Sequence, residues 1–218
     1  MKYYSNEIVF RGHPDKVCDQ ISDAILDECL RQDVNSRCGI EVMGGKGKIF
    51  VTGEVTTKAI IDLESIIKRV LKDVGYDTDY EIVNNLGIQS ADIALGTNDS
   101  VHGAGDNGMM FGYATNETEE YMPYSAALAQ KLSKQLTKVR KDGTLSYLRP
   151  DGKTQVTVEY DENNKPIRLD AIVVSSQHAP DVTQEQIHED IKKYVIDAIV
   201  DQAMVDADTK IFINPTGR

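Results

Sequence analysis

Residues 12–16 read Gly-His-Pro-Asp-Lys, which places a histidine, a carboxylate and an ammonium within four consecutive positions. Pro14 suits the first turn of a helix, where unpaired N–H groups and the helix dipole attract anions. His13 has a side chain that donates a proton near neutral pH, and Asp15 offers the carboxylate oxygens that Mg²⁺ prefers. The alternative is that these residues only form the N-terminus of a helix, with Lys16 exposed to solvent and no catalytic or binding role.

Glu41 and Glu54 lie on two predicted strands, at 37–43 and 48–57, which a glycine-rich turn at 44–47 joins into a hairpin. Aliphatic side chains alternate along both strands, so the period of two directs the two carboxylates to the opposite face. A pair of carboxylates on one face is suited to binding a cation or the ammonium group of a substrate. Two solvent-facing strand residues are the simpler alternative.

The segment 103–108, Gly-Ala-Gly-Asp-Asn-Gly, matches the G-x-G-x-x-G pattern of dinucleotide-binding folds. Its flanks argue against such a fold, because 97–102 has no strand pattern and 109–113 does not begin a helix. The glycines still permit a ligand to approach the backbone closely, and Asp106 lies among them.

Residues 149–153, Arg-Pro-Asp-Gly-Lys, lead into a predicted strand whose apolar face carries Val156 and Val158. Lys153 lies on the polar face, and a lysine at the start of a strand is suited to neutralising a phosphate. Arg218, which follows Pro-Thr-Gly, is a second candidate for phosphate binding. A solvated turn is the alternative in both places.

A repeated order of helices and strands positions these residues. The apolar spacing predicts a helix, two strands joined by a turn, and a second helix, and the same order recurs further along the chain. The first copy covers 14–32, 37–43, 48–57 and a helix around 63–74; the second covers 124–141, 153–160, 167–176 and 183–200. Each copy predicts an antiparallel hairpin with helices on one face of its sheet, so the expected fold class is α+β. The stretch 86–122 is rich in Gly, Asn and Asp, which is typical of functional loops.

The composition is that of a globular chain with one or two domains. The 218 residues are 40% hydrophobic and 27% charged, and the net charge of −11 argues against a general binder of nucleic acid or anionic membrane. No apolar run approaches the roughly 20 residues of a membrane helix, and the N-terminus lacks the apolar core of a signal peptide. Cys18, Cys29 and Cys38 lack a CxxC spacing, which predicts buried thiols in a reducing cytoplasm.

These stretches together resemble one family, the S-adenosylmethionine synthetases (methionine adenosyltransferases). The similar segments are, in order, GHPDKVCDQISDAILD at 12–27, TGEVTT at 52–57, QSADI at 89–93, GAGDNGMMFGYATNET at 103–118, LRPDGKTQVTV at 148–158, SSQH at 175–178 and INPTGR at 213–218. The resemblance implies a fold of three similar α+β domains about a pseudo-threefold axis. Two of them would be present here, an N-terminal domain at 1–98 and a middle domain at 99–218.

The resemblance also implies an activity. Members of that family join methionine to ATP: the methionine sulfur attacks the ribose C5′, and the tripolyphosphate that leaves is hydrolysed to phosphate and pyrophosphate. They use two Mg²⁺ ions and one K⁺, and their active sites lie at an interface to which both subunits contribute. A cytoplasmic, oligomeric transferase that binds ATP and methionine is therefore expected.

For the ATP side of the site, the resemblance implies roles for four residues. His13 matches the catalytic histidine that steadies the α-phosphate side of the breaking bond. Asp151 and Lys153 match an ATP-contacting pair, of which Lys153 is also catalytic, and Arg218 begins a further ATP-binding segment. Arg11 departs from the family, which usually has an acidic residue before GHPDK.

For the methionine side, Glu54 and Gln89 match residues that hold methionine. Asp106 matches a catalytic aspartate at the methionine and the ribose. A forming sulfonium calls for nearby carboxylates, and a departing polyanion calls for cations. The metal ligands that the resemblance implies are Glu7 and Asp15 for Mg²⁺ and Glu41 for K⁺.

In the family, a glycine-rich ATP segment and the last third of the chain come immediately after the position of Arg218. We therefore expect activity only when that third is supplied, as by a separate polypeptide in a homo- or hetero-oligomer. A non-catalytic regulatory or structural subunit of a synthetase and a nucleotide-binding module are the alternatives. The residues that favour catalysis over both are His13, Asp15, Glu54, Asp106 and Lys153.

Overall fold

The computed structural model describes residues 2–77, 79–88 and 108–216. A π-helical turn, Lys192–Ile196, and a short α-helical turn, Asp197–Ile199, extend the last long helix, and a 3₁₀ turn covers Gln202–Met204. None of the helices in these ranges is long and apolar enough to cross a membrane. The main elements, in chain order, are β1 (Lys2–Val9), α1 (Pro14–Gln32), β2 (Arg37–Gly45), β3 (Lys48–Thr56), α2 (Leu63–Val74), β4 (Glu81–Gly87), α3 (Tyr124–Lys141), β5 (Leu148–Tyr160), β6 (Pro166–His178), α4 (Gln184–Ile191) and β7 (Lys210–Ile213).

The chain divides into two compact units. One unit comprises Pro14–Gly112 and contains a three-stranded sheet in the order β2-β3-β4. The other comprises Met1–His13 with Tyr113–Arg218 and contains a four-stranded sheet in the order β1-β5-β6-β7. The boundary predicted between residues 98 and 99 lies outside the described residues.

Both units contain the same succession of a helix, an antiparallel hairpin, a helix and a third strand parallel to the second. The succession is α1-β2-β3-α2-β4 in one unit and α3-β5-β6-α4-β7 in the other. The predicted α+β fold with a repeated helix-strand-strand-helix order is thereby confirmed. The sequence did not reveal the third strands, because β7 has only four residues and β4 has no regular alternation of buried and exposed positions.

In the Pro14–Gly112 unit, α1 and α2 cover one face of the sheet with apolar side chains. Along β3, the buried residues Ile49 and Val51 alternate with exposed ones, so the opposite face of the sheet is exposed. Asp62 begins α2, because its side chain accepts a hydrogen bond from the Ser65 N–H at 3.1 Å. Gly75 ends the helix in the left-handed conformation, at a φ of 112°.

Cys29 lies fully buried in this core, and its thiol is hydrogen-bonded to the half-buried Cys38. Burial, followed by the contact with Cys38, raises the pKa of Cys29 to about 12. Cys29 therefore stays protonated at neutral pH and behaves as a small apolar core residue.

In the other unit, β5 and β6 alternate buried and exposed side chains, and α3 and α4 cover the buried face. The Thr154 hydroxyl donates to the Ala129 carbonyl at 2.8 Å within this core, which ties β5 to α3. The Ser125 hydroxyl of α3 donates to the Asn6 side chain of β1 at 2.5 Å. Both hydroxyls are thus paired with an acceptor on another element.

Strand β1 is an edge strand that pairs antiparallel with β5 along eight residues, the last of them Val9 opposite Lys153. The next residue continues the contact, because the Phe10 N–H donates to the Gly152 carbonyl at 2.8 Å and the ring is 3% exposed. The first segment of the chain, up to His13, therefore packs with strands that lie far away in the sequence.

Replacing Gly152 with alanine should destabilise this unit, because a Cβ there would overlap the Phe10 ring and the carbonyl oxygen of Ser175. Crowding of this kind costs about 1–3 kcal/mol. Urea unfolding measures the loss, and Gly45→Ala is the matched control because its added Cβ meets no atom within 4 Å. Equal urea midpoints for the two variants would contradict the close packing at Gly152.

Candidate active site

The first residues of β5 form one wall of a cavity of about 300 Å³. His13, Asp151 and Lys153, three of the residues singled out in the sequence, line it together. More than a hundred residues of chain separate His13 from Asp151 and Lys153, and the pairing of β1 with β5 brings the three to one place. The remaining lining residues are Gly152, Ser175, Ser176, Gln177, Asn214 and Thr216.

The position of His13 depends on close contacts between backbone segments. Its N–H donates to the Phe10 carbonyl at 3.0 Å, which closes a tight turn after β1. Gly12 lies within this turn against Pro150, where a Cβ would overlap the proline. The glycine of the GHPDK segment is therefore required by space, because no side chain fits between the turn and the start of β5.

The far wall of the cavity comes from β6 and the segment after β7, and sequence analysis assigned no role to its residues. The Asn214 side chain accepts from the Ser176 N–H at 2.8 Å and donates to the Ser176 carbonyl at 3.1 Å. The Asn214 N–H also donates to the Val174 carbonyl at 2.9 Å. These bonds hold the segment after β7 against β6. The sequence did offer one indication that these residues matter, because SSQH and INPTGR are both among the stretches that carry the family resemblance.

Lys153 and Glu7 supply opposite charges near each other on neighbouring strands. The Lys153 Nζ lies 3.5 Å from the Glu7 Oε2, and both side chains are about half exposed. An exposed ion pair of this length is weak. The ammonium thus remains available to a phosphate and the carboxylate to a metal ion, so the pair is suited to a magnesium–polyphosphate ligand.

Asp15 and Lys16 belong to the first turn of α1. The Lys16 Nζ donates to Asp19 at 2.9 Å, and both side chains are exposed. The hydrogen bond and the charge of Asp19 raise the pKa of Lys16. Lys16 is therefore engaged along its own helix, in agreement with the solvated lysine considered from the sequence.

Glu41 and Glu54 lie on the exposed face of the β2–β4 sheet, as the strand period predicted. Glu41 is opposite Thr52, whose hydroxyl accepts from the Asn85 side chain at 3.1 Å. Gly53 precedes Glu54 with a φ of 112°, and a Cβ there would overlap the opposite backbone. The two carboxylates thus share one exposed face of the sheet, and a pair of carboxylates is suited to binding a cation.

Gln89, Asp106 and Arg218 lie outside the described residues, as does the segment 103–107. Within 2–77, 79–88 and 108–216, no group of three or more His, Cys, Asp or Glu side chains could hold a metal ion. Mg²⁺ is commonly bound by one or two carboxylates together with substrate phosphates and water. Pairs such as Glu7 with a polyphosphate are compatible with that chemistry.

Two family models match the chain. The N-terminal domain of S-adenosylmethionine synthetase matches residues 1–95, and the central domain matches residues 101–218. The chain belongs to the S-adenosylmethionine synthetase family. Within this synthetase chain, the 300 Å³ cavity combines residues of both matched segments, since His13 comes from the first and Asp151 and Lys153 come from the second.

We expect Lys153→Met to weaken the binding of inorganic tripolyphosphate to the chain about tenfold, because a charge-assisted hydrogen bond is lost. Titration calorimetry at low salt measures this. Lys165→Met, on the exposed turn between β5 and β6, is the control and should bind as the parent chain does. Equal affinities for the two variants would show that tripolyphosphate does not use Lys153.

Proposed function

We propose that this chain forms S-adenosylmethionine from ATP and methionine, and that it contributes the N-terminal and central domains of the active enzyme. The observation that carries the proposal is the cavity in which His13, Asp151 and Lys153 meet. The family's C-terminal third, on the same or on a separate polypeptide, completes the site. The family membership supports the substrates and the reaction class.

In the proposal, the cavity holds the triphosphate as it leaves. The methionine sulfur attacks the ribose C5′, the bond from C5′ to the α-phosphate oxygen breaks, and its electron pair stays on that oxygen. His13 donates a hydrogen bond to the departing phosphate, and the Lys153 ammonium neutralises part of its charge. Fixed donors aimed at developing negative charge are among the largest contributions to catalysis. Asp151 contacts ATP at the same place.

The methionine side requires groups that tolerate positive charge, because the sulfur becomes a sulfonium. In the proposal, the groups that bind methionine and tolerate this positive charge are Glu54, Gln89 and Asp106. Glu54 is exposed on its sheet face, where a ligand has access to its carboxylate. Met43 and Phe50 are 65% and 37% exposed on the same face. Apolar side chains on an open sheet face support the proposal that a second subunit covers it.

The implied metal ions fit the donor types that the chain offers. In the proposal, Glu7 and Asp15 hold Mg²⁺, and Glu41 holds K⁺. All three are carboxylates, the hard oxygen ligands that these ions prefer. Bound Mg²⁺ would stabilise charge on the triphosphate. The ion pair of Glu7 with Lys153 supports this assignment, because a carboxylate oxygen and an ammonium nitrogen lie 3.5 Å apart and a magnesium–phosphate ligand needs both kinds of group.

His13→Asn should lower the turnover of the completed enzyme by about a hundredfold or more, the usual loss when one donor to a developing anion is removed. The assay is S-adenosylmethionine formation from ATP and methionine. His188→Asn, at an exposed position of α4, is the control and should leave turnover unchanged. Parental turnover in a folded His13→Asn enzyme would remove His13 from the mechanism.

Residues 1–218 by themselves should form no S-adenosylmethionine, and addition of a polypeptide with the family's C-terminal third should restore formation. The reason is charge, because the triphosphate carries about four negative charges and Lys153 and Arg218 are the permanent cations that the proposal assigns to it. Product formation with the chain alone, with the third alone and with both measures the effect.

Efficient turnover by 1–218 alone would contradict this requirement. Complex formation without turnover would instead favour a regulatory subunit, and ATP binding without complex formation would favour a nucleotide-binding module. Native mass spectrometry of the same mixtures shows whether a complex forms and so distinguishes a regulatory subunit from a nucleotide-binding module.

A further inference from the structure

A second cavity, of about 510 Å³, lies at the edge of the four-stranded sheet and is lined by residues that the proposed reaction does not use. Its volume is in the range of small-molecule sites. Four of its lining residues are tyrosines: Tyr3, Tyr4, Tyr113 and Tyr160. The others are Lys2, Glu117, Pro123 and Asn164.

The walls come from three places in one compact unit. Lys2, Tyr3 and Tyr4 begin the edge strand β1, and Tyr160 ends β5 directly opposite Lys2. Asn164 belongs to the turn between β5 and β6. Tyr113, Glu117 and Pro123 belong to the segment that leads into α3.

Three uncharged hydrogen-bond donors fix the position of the Glu117 carboxylate in this cavity. Its Oε2 accepts from the Tyr160 hydroxyl at 2.8 Å and from the Tyr124 N–H at 3.0 Å. Its Oε1 accepts from the Thr115 hydroxyl at 3.2 Å. Burial, followed by the hydrogen bond to Glu117, raises the pKa of Tyr160, so this phenol stays neutral. The three donors orient the carboxylate without cancelling its charge.

Lys2 gives the same cavity a positive group. Its Nζ donates to the Asn164 Oδ1 at 2.7 Å, which holds the ammonium at the turn between β5 and β6. With respect to the residues that the structure describes, this hydrogen bond leaves two of the three N–H donors of Lys2 for a ligand. The cavity therefore combines aromatic walls with one oriented carboxylate and one oriented ammonium.

We propose that this cavity binds small zwitterions that carry a permanently charged onium group, a methylated ammonium or a sulfonium, together with a carboxylate. The faces of tyrosine rings attract cations that have no hydrogen to donate, and Glu117 adds its charge to theirs. Lys2 binds the carboxylate of the ligand. A primary ammonium would bind less well, because it loses water hydrogen bonds that the aromatic faces do not replace.

Titration calorimetry of the full chain tests the proposal without any need for turnover. The probes are glycine betaine and dimethylsulfonioacetate, which have the same spacer between the onium group and the carboxylate. The control is 3,3-dimethylbutanoate, which has the shape of glycine betaine without its positive charge. At least one onium probe should bind about tenfold more tightly than the control, or better. The ratio of the two onium affinities identifies the preferred head group. Equal binding of all three compounds, or none, would overturn the proposal.

Variants locate the binding. Tyr113 is 76% exposed, so its replacement leaves the core unchanged. Tyr113→Leu should weaken the onium probes several-fold, whereas Tyr113→Phe, which keeps the ring, should retain their affinity. Lys2→Met should weaken glycine betaine while leaving choline, which lacks the carboxylate, unchanged. Onium binding that neither Tyr113→Leu nor Lys2→Met alters would place the ligand elsewhere and overturn the assignment.

Discussion

The Phe10 ring packs on the backbone of Gly152, at a point where no Cβ fits. This contact holds the segment that follows β1 against the start of β5. Because of it, the turn at Gly12 and His13 comes to lie beside the start of β5. Glycine at 12 and at 152 lets two backbone segments approach more closely than any side chain would allow. The shape of the cavity that is proposed to hold the triphosphate depends on these two glycines.

The residues proposed for the two sides of the reaction lie in different compact units. Lys153 and His13 line the cavity proposed for the departing triphosphate, whereas Glu41 and Glu54 lie on an exposed sheet face. In the proposed reaction a cation forms at sulfur and a polyanion departs, and each developing charge is stabilised by groups of the opposite sign. The excess of acidic residues over the whole chain does not prevent a local cationic site.

Glu117 combines two tasks. Its carboxylate accepts from the first N–H of α3, that of Tyr124, and so caps a helix whose N-cap residue, Pro123, makes no side-chain hydrogen bond. It also lines the tyrosine cavity, where its charge is held in one orientation. Glu117 lies in the stretch 103–118 that carries the family resemblance, but the sequence assigned it no role. The tyrosines around it come from three separate segments, whose meeting depends on the pairing of β1 with β5.

The sequence by itself determined the repeated helices and hairpin strands, though not the third strands β4 and β7. It also determined the exposed face on which Glu41 and Glu54 lie and, through its motifs, the family. Spacing along one helix or strand is a local property, so it can be read without the fold. Only the tertiary structure decided that β1 pairs with β5, that His13 joins Lys153, and that Asn214 fastens the far wall of the cavity. Which strands pair depends on how much apolar surface the whole core buries, and a short window of sequence does not show this. It also depends on glycines such as Gly152, where a segment far away in the sequence leaves no room for a side chain.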